Sequence, residues 1–224
     1  MSSAPIRLHA PPPFELWLVS LASPACDADL DLLDDAERAR SARFHFERDR
    51  CRYVAAHAAL RRLLARRTGR DAAALVIEAG PYGKPYLAAA PRCAFSLSHC
   101  EDLALVALAD DGEIGVDLER VRPLADLDGL GRQCLTLHER HEIDRLAPGE
   151  RSPAFLRRWT RKEACLKALG AGLHVEPSTF AVDGGGAGGR VCIQTISGPC
   201  DVHVQDVDVR PGWVGALAHV LTSP

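Results

Sequence analysis

Two periods of apolar and polar residues run along this chain, and the switches between them mark its elements. Alternation with period two, or short apolar runs closed by turn residues, predicts strands at Phe14–Leu21, Leu75–Ala79, Phe95–Leu97, Leu103–Ala109 and Glu113–Val121. Four more are expected at Phe180–Val182, Val191–Ile196, Val202–Val207 and Trp213–Val220. Helical spacing predicts a short charged helix over Asp34–Phe44 and a long one over Asp49–Arg67, with Tyr53, His57, Leu60 and Leu64 on one face and Gly69 as its stop. Asp126–Leu146 reads as helical with a break near Thr136, and Ser152–Leu169 as a second long helix ended by Gly170 and Gly172. Gly80–Pro85 and Asp183–Gly189 read as turns, and Asp110-Asp111-Gly112 as the turn of a hairpin between Leu103–Ala109 and Glu113–Val121. The Pro-rich residues 1–13 are expected to be loose.

The order repeats. Arg52–Arg61 (RYVAAHAALR) aligns with Arg158–Lys167 (RWTRKEACLK) at an offset of 106, and Leu75–Gly80 (LVIEAG) with Phe180–Gly185 (FAVDGG) at 105. In this register Glu163 is matched by His57 and Lys162 by Ala56. The expected architecture is α+β: two similar halves, 1–111 and 112–224, related by pseudo-twofold symmetry. A cleft between such halves is a favoured ligand site.

Composition narrows the classes. Of the 224 residues, 47% are hydrophobic and 25% charged, which fits a globular chain rather than a disordered one. A net charge of −3 argues against a nucleic-acid binder. The longest uncharged apolar stretch, Pro211–Pro224, is short of the ~20 residues that a bilayer requires. Phe14–Cys26 superficially resembles a lipoprotein signal, but Glu15 interrupts it and Ser23-Pro24 stand where a lipobox needs aliphatic and small residues. A cytoplasmic protein without a membrane partner is therefore expected. The eight cysteines, at 26, 51, 93, 100, 134, 165, 192 and 200, form no C-x-x-C, so reduced thiols are expected rather than a zinc site or a disulfide framework.

Ile114–Arg120 (IGVDLER) puts Ile114, Val116 and Leu118 on one face of a strand and Asp117 and Glu119 together on the other. Taken alone, that pair fits a strand with one wet face. Glu163 changes the picture, because it falls inside the apolar stripe of Phe155, Leu156, Trp159, Leu166 and Leu169. An i,i+4 salt bridge from Glu163 to Lys167 accounts for that pair but not for its location. Three carboxylates together would make an all-oxygen site suited to Mg²⁺, or to Mn²⁺ in its place. Phosphate contacts could come from Arg52, Lys84 in the GPYGKP loop, Ser98 and His99 just past a strand end, Lys162 and Lys167.

These residues carry a resemblance. GVDLE at Gly115–Glu119 and WTRKEACLKALGAGL at Trp159–Leu173, with Gly83-Lys84-Pro85 and Phe95–His99 (FSLSH) in order before them, are similar to the motifs of the 4′-phosphopantetheinyl transferases, in particular the two-halved, surfactin-synthetase-activating type. Ser96 and Cys100 depart from the residues usual at those places, Asn and Ser or Thr. The resemblance implies transfer of the phosphopantetheine arm of coenzyme A to a serine of an apo acyl or peptidyl carrier protein, with release of adenosine 3′,5′-bisphosphate. It implies Asp117, Glu119 and Glu163 as Mg²⁺ ligands, Lys167 on the transferred phosphate, and Arg52, Lys84 and His99 around the 3′-phosphate of coenzyme A. Glu139, in TLHE, resembles a carboxylate that helps activate the serine; whether Glu163 or Glu139 is the base stays open. A single chain, active as a monomer, is expected to hold one site. A Mg²⁺-dependent nucleotide phosphohydrolase and a non-catalytic binding module are the competing classes, and a carrier-modification assay separates all three.

Overall fold

The structure is a computed structural model that describes residues 4–23, 27–88, 90, 92–170, 175–183 and 188–221. Its strands are β1 (Ile6–Leu8), β2 (Glu15–Ser20), β3 (Ile77–Ala79), β4 (Pro85–Leu87), β5 (Ala94–Cys100), β6 (Leu103–Ala109), β7 (Ile114–Arg120), β8 (Gly189–Thr195), β9 (Gly198–Val207) and β10 (Trp213–Val220). Its helices are α1 (Asp27–Leu30), α2 (Asp35–Ser41), α3 (Glu47–Thr68), α4 (Leu127–Cys134), α5 (Leu137–Asp144) and α6 (Pro148–Leu169). Two antiparallel sheets result, ordered β1-β2-β6-β5 and β7-β10-β9-β8, with β3 and β4 as a separate ribbon. This is the expected α+β arrangement of two sheet-plus-helix halves.

Strand alternation builds the layers. On β6, Ala104, Val106 and Leu108 face Ala56, Leu60, Leu63 and Leu64 of α3. The intervening Leu103, Leu105 and Ala107 meet Ile114, Val116 and Leu118 of β7 and Leu217 of β10. On β10, Ala216 and Ala218 turn the other way, towards Ala164, Cys165 and Ala168 of α6. The order is therefore helix, sheet, sheet, helix, with β6 buried along its whole length.

Several expectations change. The β6–β7 hairpin does not form: β6 is already paired on both sides, by β2 and β5, so the chain crosses at Gly112 (φ 88) and β7 joins β10 in the other sheet. Residues before Phe14 are not wholly loose, since β1 pairs with β2 although its side chains are mostly exposed; the backbone ladder, not apolar patterning, holds it. Phe180–Val182 is no strand. It follows a 3₁₀ turn at Pro177–Thr179, and its buried backbone groups are paired by side chains instead: Val182 N donates to Glu139 Oε1, and Lys162 Nζ donates to Phe180 O. The helix expected from Ser152 begins at Pro148, a favoured first-turn position for proline. Gly172, Leu173 and residues 184–187 lie outside the described residues, as does Cys26. Among the described cysteines no disulfide forms.

The repeat is real in architecture but its register is different. The helices α3 and α6 each have 22 residues and each ends on a left-handed glycine, Gly69 and Gly170, which sets the offset at 101 rather than 106. In that register Glu163 corresponds to Arg62 and Lys162 to Arg61. The short helix before each long one has a capping box, Asp34/Glu37 and Thr136/Glu139. In both halves the capping-box glutamate pairs with a fully buried cation of the long helix: Glu37 with Arg61 at 2.6 Å, and Glu139 with Lys162 at 2.8 Å. The 106 alignment matches residue types five positions, about 1.4 turns, out of step with the helix ends, whereas the buried ion pairs fix one register.

Candidate active site

The site is assembled where α6 lies on β7. Gly115 makes that approach possible: a β-carbon there would stand 2.1 Å from Ala164 O and 2.3 Å from Ala168 N. Glycine inside a strand marks such close backbone contact. With the helix seated this low, Lys167 Nζ reaches Asp117 Oδ1 at 2.7 Å. Asp117 is 6% exposed, and its second oxygen, Oδ2, is buried without a hydrogen-bond partner. Burial of Glu163, together with the like charges of Asp117 and Glu119, raises its carboxyl above the usual range, against the opposing pull of Lys167. The three carboxylates are thus electrostatic neighbours around one ammonium. Among the described residues no three such side chains stand at closed metal-ligating distance. The oxygen-only donor set and the orphaned Oδ2 fit a hard divalent cation.

The alternation of β5 sorts the next residues. Ser98 and His99 lie within the strand, not beyond its end, so they face opposite ways. Ser98 faces the second half, where its hydroxyl donates to Asp117 Oδ1 at 2.8 Å. His99 faces the α3 side with Phe95 and Leu97. His99 keeps an exposed surface, yet desolvation by the protein packed around it, and then the charge of His57, Lys167, Arg40 and Arg52, hold its pKa below the ordinary histidine value. His57 is itself oriented by Glu37, Nδ1 to Oε1 at 2.9 Å. Arg52, partly buried, makes only a long ion pair with Asp49, at 3.7 Å. This cationic group on α2, α3 and β5 suits a phosphate. Arg40 and His57 were not among the sequence candidates; His57 had a signal, its place on the same helix face as Tyr53.

Three candidates stand elsewhere. Lys84 spans the halves, donating to the α6 carbonyl of Ala168 at 2.7 Å and pairing with Glu113. Lys162 is fully buried, and Pro177 O, Phe180 O and Glu139 take its ammonium. It is not brought to the carboxylates as a phosphate contact, because helix periodicity turns it about 100° from Glu163. Glu139 is 1% exposed, with Oε1 on Val182 N and Oε2 on Thr136 and Lys162. Both oxygens are thus engaged by the fold, and action on a substrate proton would have to compete with these contacts. A cavity of about 360 Å³ among α4, α5 and α6, lined by Arg132, Leu135, Arg140 and Phe155, holds none of the three carboxylates.

The profile of the 4′-phosphopantetheinyl transferase superfamily matches residues 113–218, and that of the 4′-phosphopantetheinyl transferase N-terminal region matches 22–111. The chain is 35% identical over 164 residues to the 4′-phosphopantetheinyl transferase HetI of Nostoc sp., covering 70% of this chain and 69% of that one. It is 28% identical over 188 residues to a 4′-phosphopantetheinyl transferase of Bacillus subtilis, covering 82% and 81%. It is 40% identical over 91 residues to the 4′-phosphopantetheinyl transferase AcpT of Escherichia coli, covering 41% and 47%. The chain belongs to the 4′-phosphopantetheinyl transferase superfamily and is a transferase of that class. Among the described residues no helix is long and apolar enough to cross a membrane.

Proposed function

We propose that this chain transfers the 4′-phosphopantetheine arm of coenzyme A to a serine of an apo acyl or peptidyl carrier protein, releasing adenosine 3′,5′-bisphosphate, with Mg²⁺ required. The observation that carries the reading is Asp117, whose Oδ1 is held by Lys167 and whose Oδ2 is buried and unpaired, with Glu119 and Glu163 as electrostatic neighbours. Asp117, Glu119 and Glu163 would hold the cation. Bound there, it supplies positive charge to the pyrophosphate.

The chain's own groups do the rest. Lys167 offers a second positive contact to the transferred phosphate. The serine oxygen attacks the pantetheine-side phosphorus, a P–O bond forms, and the anhydride P–O bond breaks with its electron pair leaving on the nucleotide. The serine proton needs an acceptor, and Glu163 takes it directly or through a water. The His99 group, with Arg52, holds the 3′-phosphate end. One such site per chain, on residues 112–224 with the coenzyme end held by 1–111, makes the monomer the active unit. In the first half Arg62 stands in the place of Glu163 and pairs with Asp29.

The test is to incubate the protein with coenzyme A, Mg²⁺ and an apo carrier and to weigh the carrier. Gain of one phosphopantetheine arm is the expected result. Nucleotide hydrolysis without transfer, or no reaction, overturns the proposal.

A further inference from the structure

The two sheets share no backbone ladder among the described residues: β5 pairs with β6 and β7 with β10. They touch along β5 and β7 through side chains of one β5 face. Ser96 Oγ accepts from Val116 N at 3.1 Å. Ser98 Oγ donates to Asp117 Oδ1 at 2.8 Å. Cys100 Sγ donates to Glu119 Oε2 at 3.5 Å, a weak contact. Every second residue of β5 in the first half therefore meets a residue of the candidate metal strand in the second.

The Ser98 contact has a definite consequence. A serine hydroxyl has one proton to donate, and here it is committed to Asp117. Ser98 is only 7% exposed. Asp117 Oδ1 thus receives two donors, the Ser98 hydroxyl and the Lys167 ammonium, from opposite halves of the molecule. These restrain the carboxylate and leave Oδ2, buried and without a hydrogen-bond partner, as the oxygen available to a ligand. Both hydrogen bonds fall on one oxygen, and two donors from different directions narrow rotation about the Cβ–Cγ bond more than either does alone.

We propose that Ser98 is a positioning residue for metal binding rather than a contact of coenzyme A: it orients Asp117 so that Oδ2 is presented to the cation, and so couples the first half to the metal strand of the second. The inference rests on the metal-dependent reading of the site. Partners of ligating carboxylates commonly contribute about 10- to 100-fold to metal affinity.

The experiment is Mn²⁺ binding to the full chain, read from loss of the free-ion electron paramagnetic resonance signal, alongside transfer kinetics. Ser98→Ala removes only the hydroxyl and is expected to weaken Mn²⁺ by about 10- to 100-fold. The Mg²⁺ concentration for half-maximal transfer should rise by the same factor, while KM for coenzyme A at saturating Mg²⁺ stays within about two-fold. Ser98→Thr, which restores a hydroxyl, should recover most of the Mn²⁺ affinity. Wild-type Mn²⁺ affinity in Ser98→Ala, with a raised KM for coenzyme A, overturns the inference and makes Ser98 a coenzyme contact. Absence of Mn²⁺ binding by the unaltered protein, with or without coenzyme A, overturns the metal reading itself and this inference with it.

Discussion

A β-carbon on Gly115 would lie 2.1 Å from the carbonyl oxygen of Ala164, so β7 and the helix carrying Glu163 and Lys167 touch backbone to backbone. Neither partner is a flexible side chain that can swing aside. Gly115→Ala must push α6 off β7, and overpacking of this kind costs about 1–3 kcal/mol or more. At roughly 2–4 °C per kcal/mol for a chain of this size, Tm should fall measurably. Transfer should fall further than stability explains, because the 2.7 Å contact between Lys167 and Asp117 depends on the same approach. A variant with unchanged Tm and activity would show that the close approach is not needed.

The carboxylates themselves give a cleaner expectation. Asp117→Ala, Glu119→Ala and Glu163→Ala each remove an oxygen donor, and Asp117→Asn controls for the buried acceptor that Ser98 and Lys167 lose in the first. Each should lower transfer by about 100-fold or more while the circular dichroism spectrum stays unchanged. Activity near that of the unaltered protein at saturating Mg²⁺ would take that residue out of the site.

Glu163 also makes a pH-dependent prediction for stability without divalent ions. Its folded-state pKa is raised, chiefly by burial and then by Asp117. The protonated form is the one the fold favours, so its contribution is full below the unfolded carboxyl pKa and is lost as pH rises through the folded value. Glu163→Gln mimics the protonated form. Measured with a chelator present, it should raise Tm at neutral pH, and the gain should vanish below about pH 4. A constant difference at all pH values would mean that charge is not the cause.

Much of this was legible in the sequence, for identifiable reasons. Strong periodicity located α3, α6 and the long strands, and the D-x-E spacing put Asp117 and Glu119 on one face whatever their neighbours. Pairing partners were not legible. The Asp111-Gly112 turn reads as a hairpin, and only the occupancy of both β6 edges shows that β7 must leave. Lys162 and Glu163 are adjacent in sequence, and no local rule says which points into the fold; the capping-box geometry of Glu139, a long-range fact, decides it. Ser98 and His99 looked like one loop until the strand ran through Cys100 and sent them to opposite faces.

Recognition of the coenzyme's 3′-phosphate should separate His99 and Arg52 from Lys84. The first two face the cationic group, whereas Lys84 is held by Ala168 and Glu113. His99→Ala and Arg52→Ala should each raise KM for coenzyme A by about 10- to 100-fold, the scale of a charge-assisted hydrogen bond, with little effect on dephospho-coenzyme A. The depressed His99 pKa leaves it neutral near pH 7 in the free protein, so binding a phosphate must draw a proton on. KM for coenzyme A should therefore rise as pH climbs from below the ordinary histidine pKa of about 6.5 into the neutral range, and His99→Ala should flatten that rise. Lys84→Ala should instead lower Tm and affect the two substrates alike. Equal losses for both substrates in His99→Ala would place the 3′-phosphate elsewhere.

The buried pair of Glu139 and Lys162 distinguishes a structural carboxylate from a chemical one. Burial alone pulls the Lys162 ammonium down, and Glu139, 2.8 Å away, opposes this. Removing one partner strands the other charge, at a cost of about 3–5 kcal/mol. Lys162→Ala should therefore lower Tm by roughly 6–20 °C. Glu139→Gln keeps the side-chain volume but has one acceptor oxygen, which can serve Thr136 N or Val182 N and not both, so it should lower Tm as well. If Glu139 only supports the fold, Glu139→Gln will keep kcat within a few-fold at a temperature where it is folded, with an unchanged pH profile. If Glu139 takes the serine proton, the same variant will lose transfer by about 100-fold or more with no matching loss of Tm, and the assignment of Glu163 as the base falls.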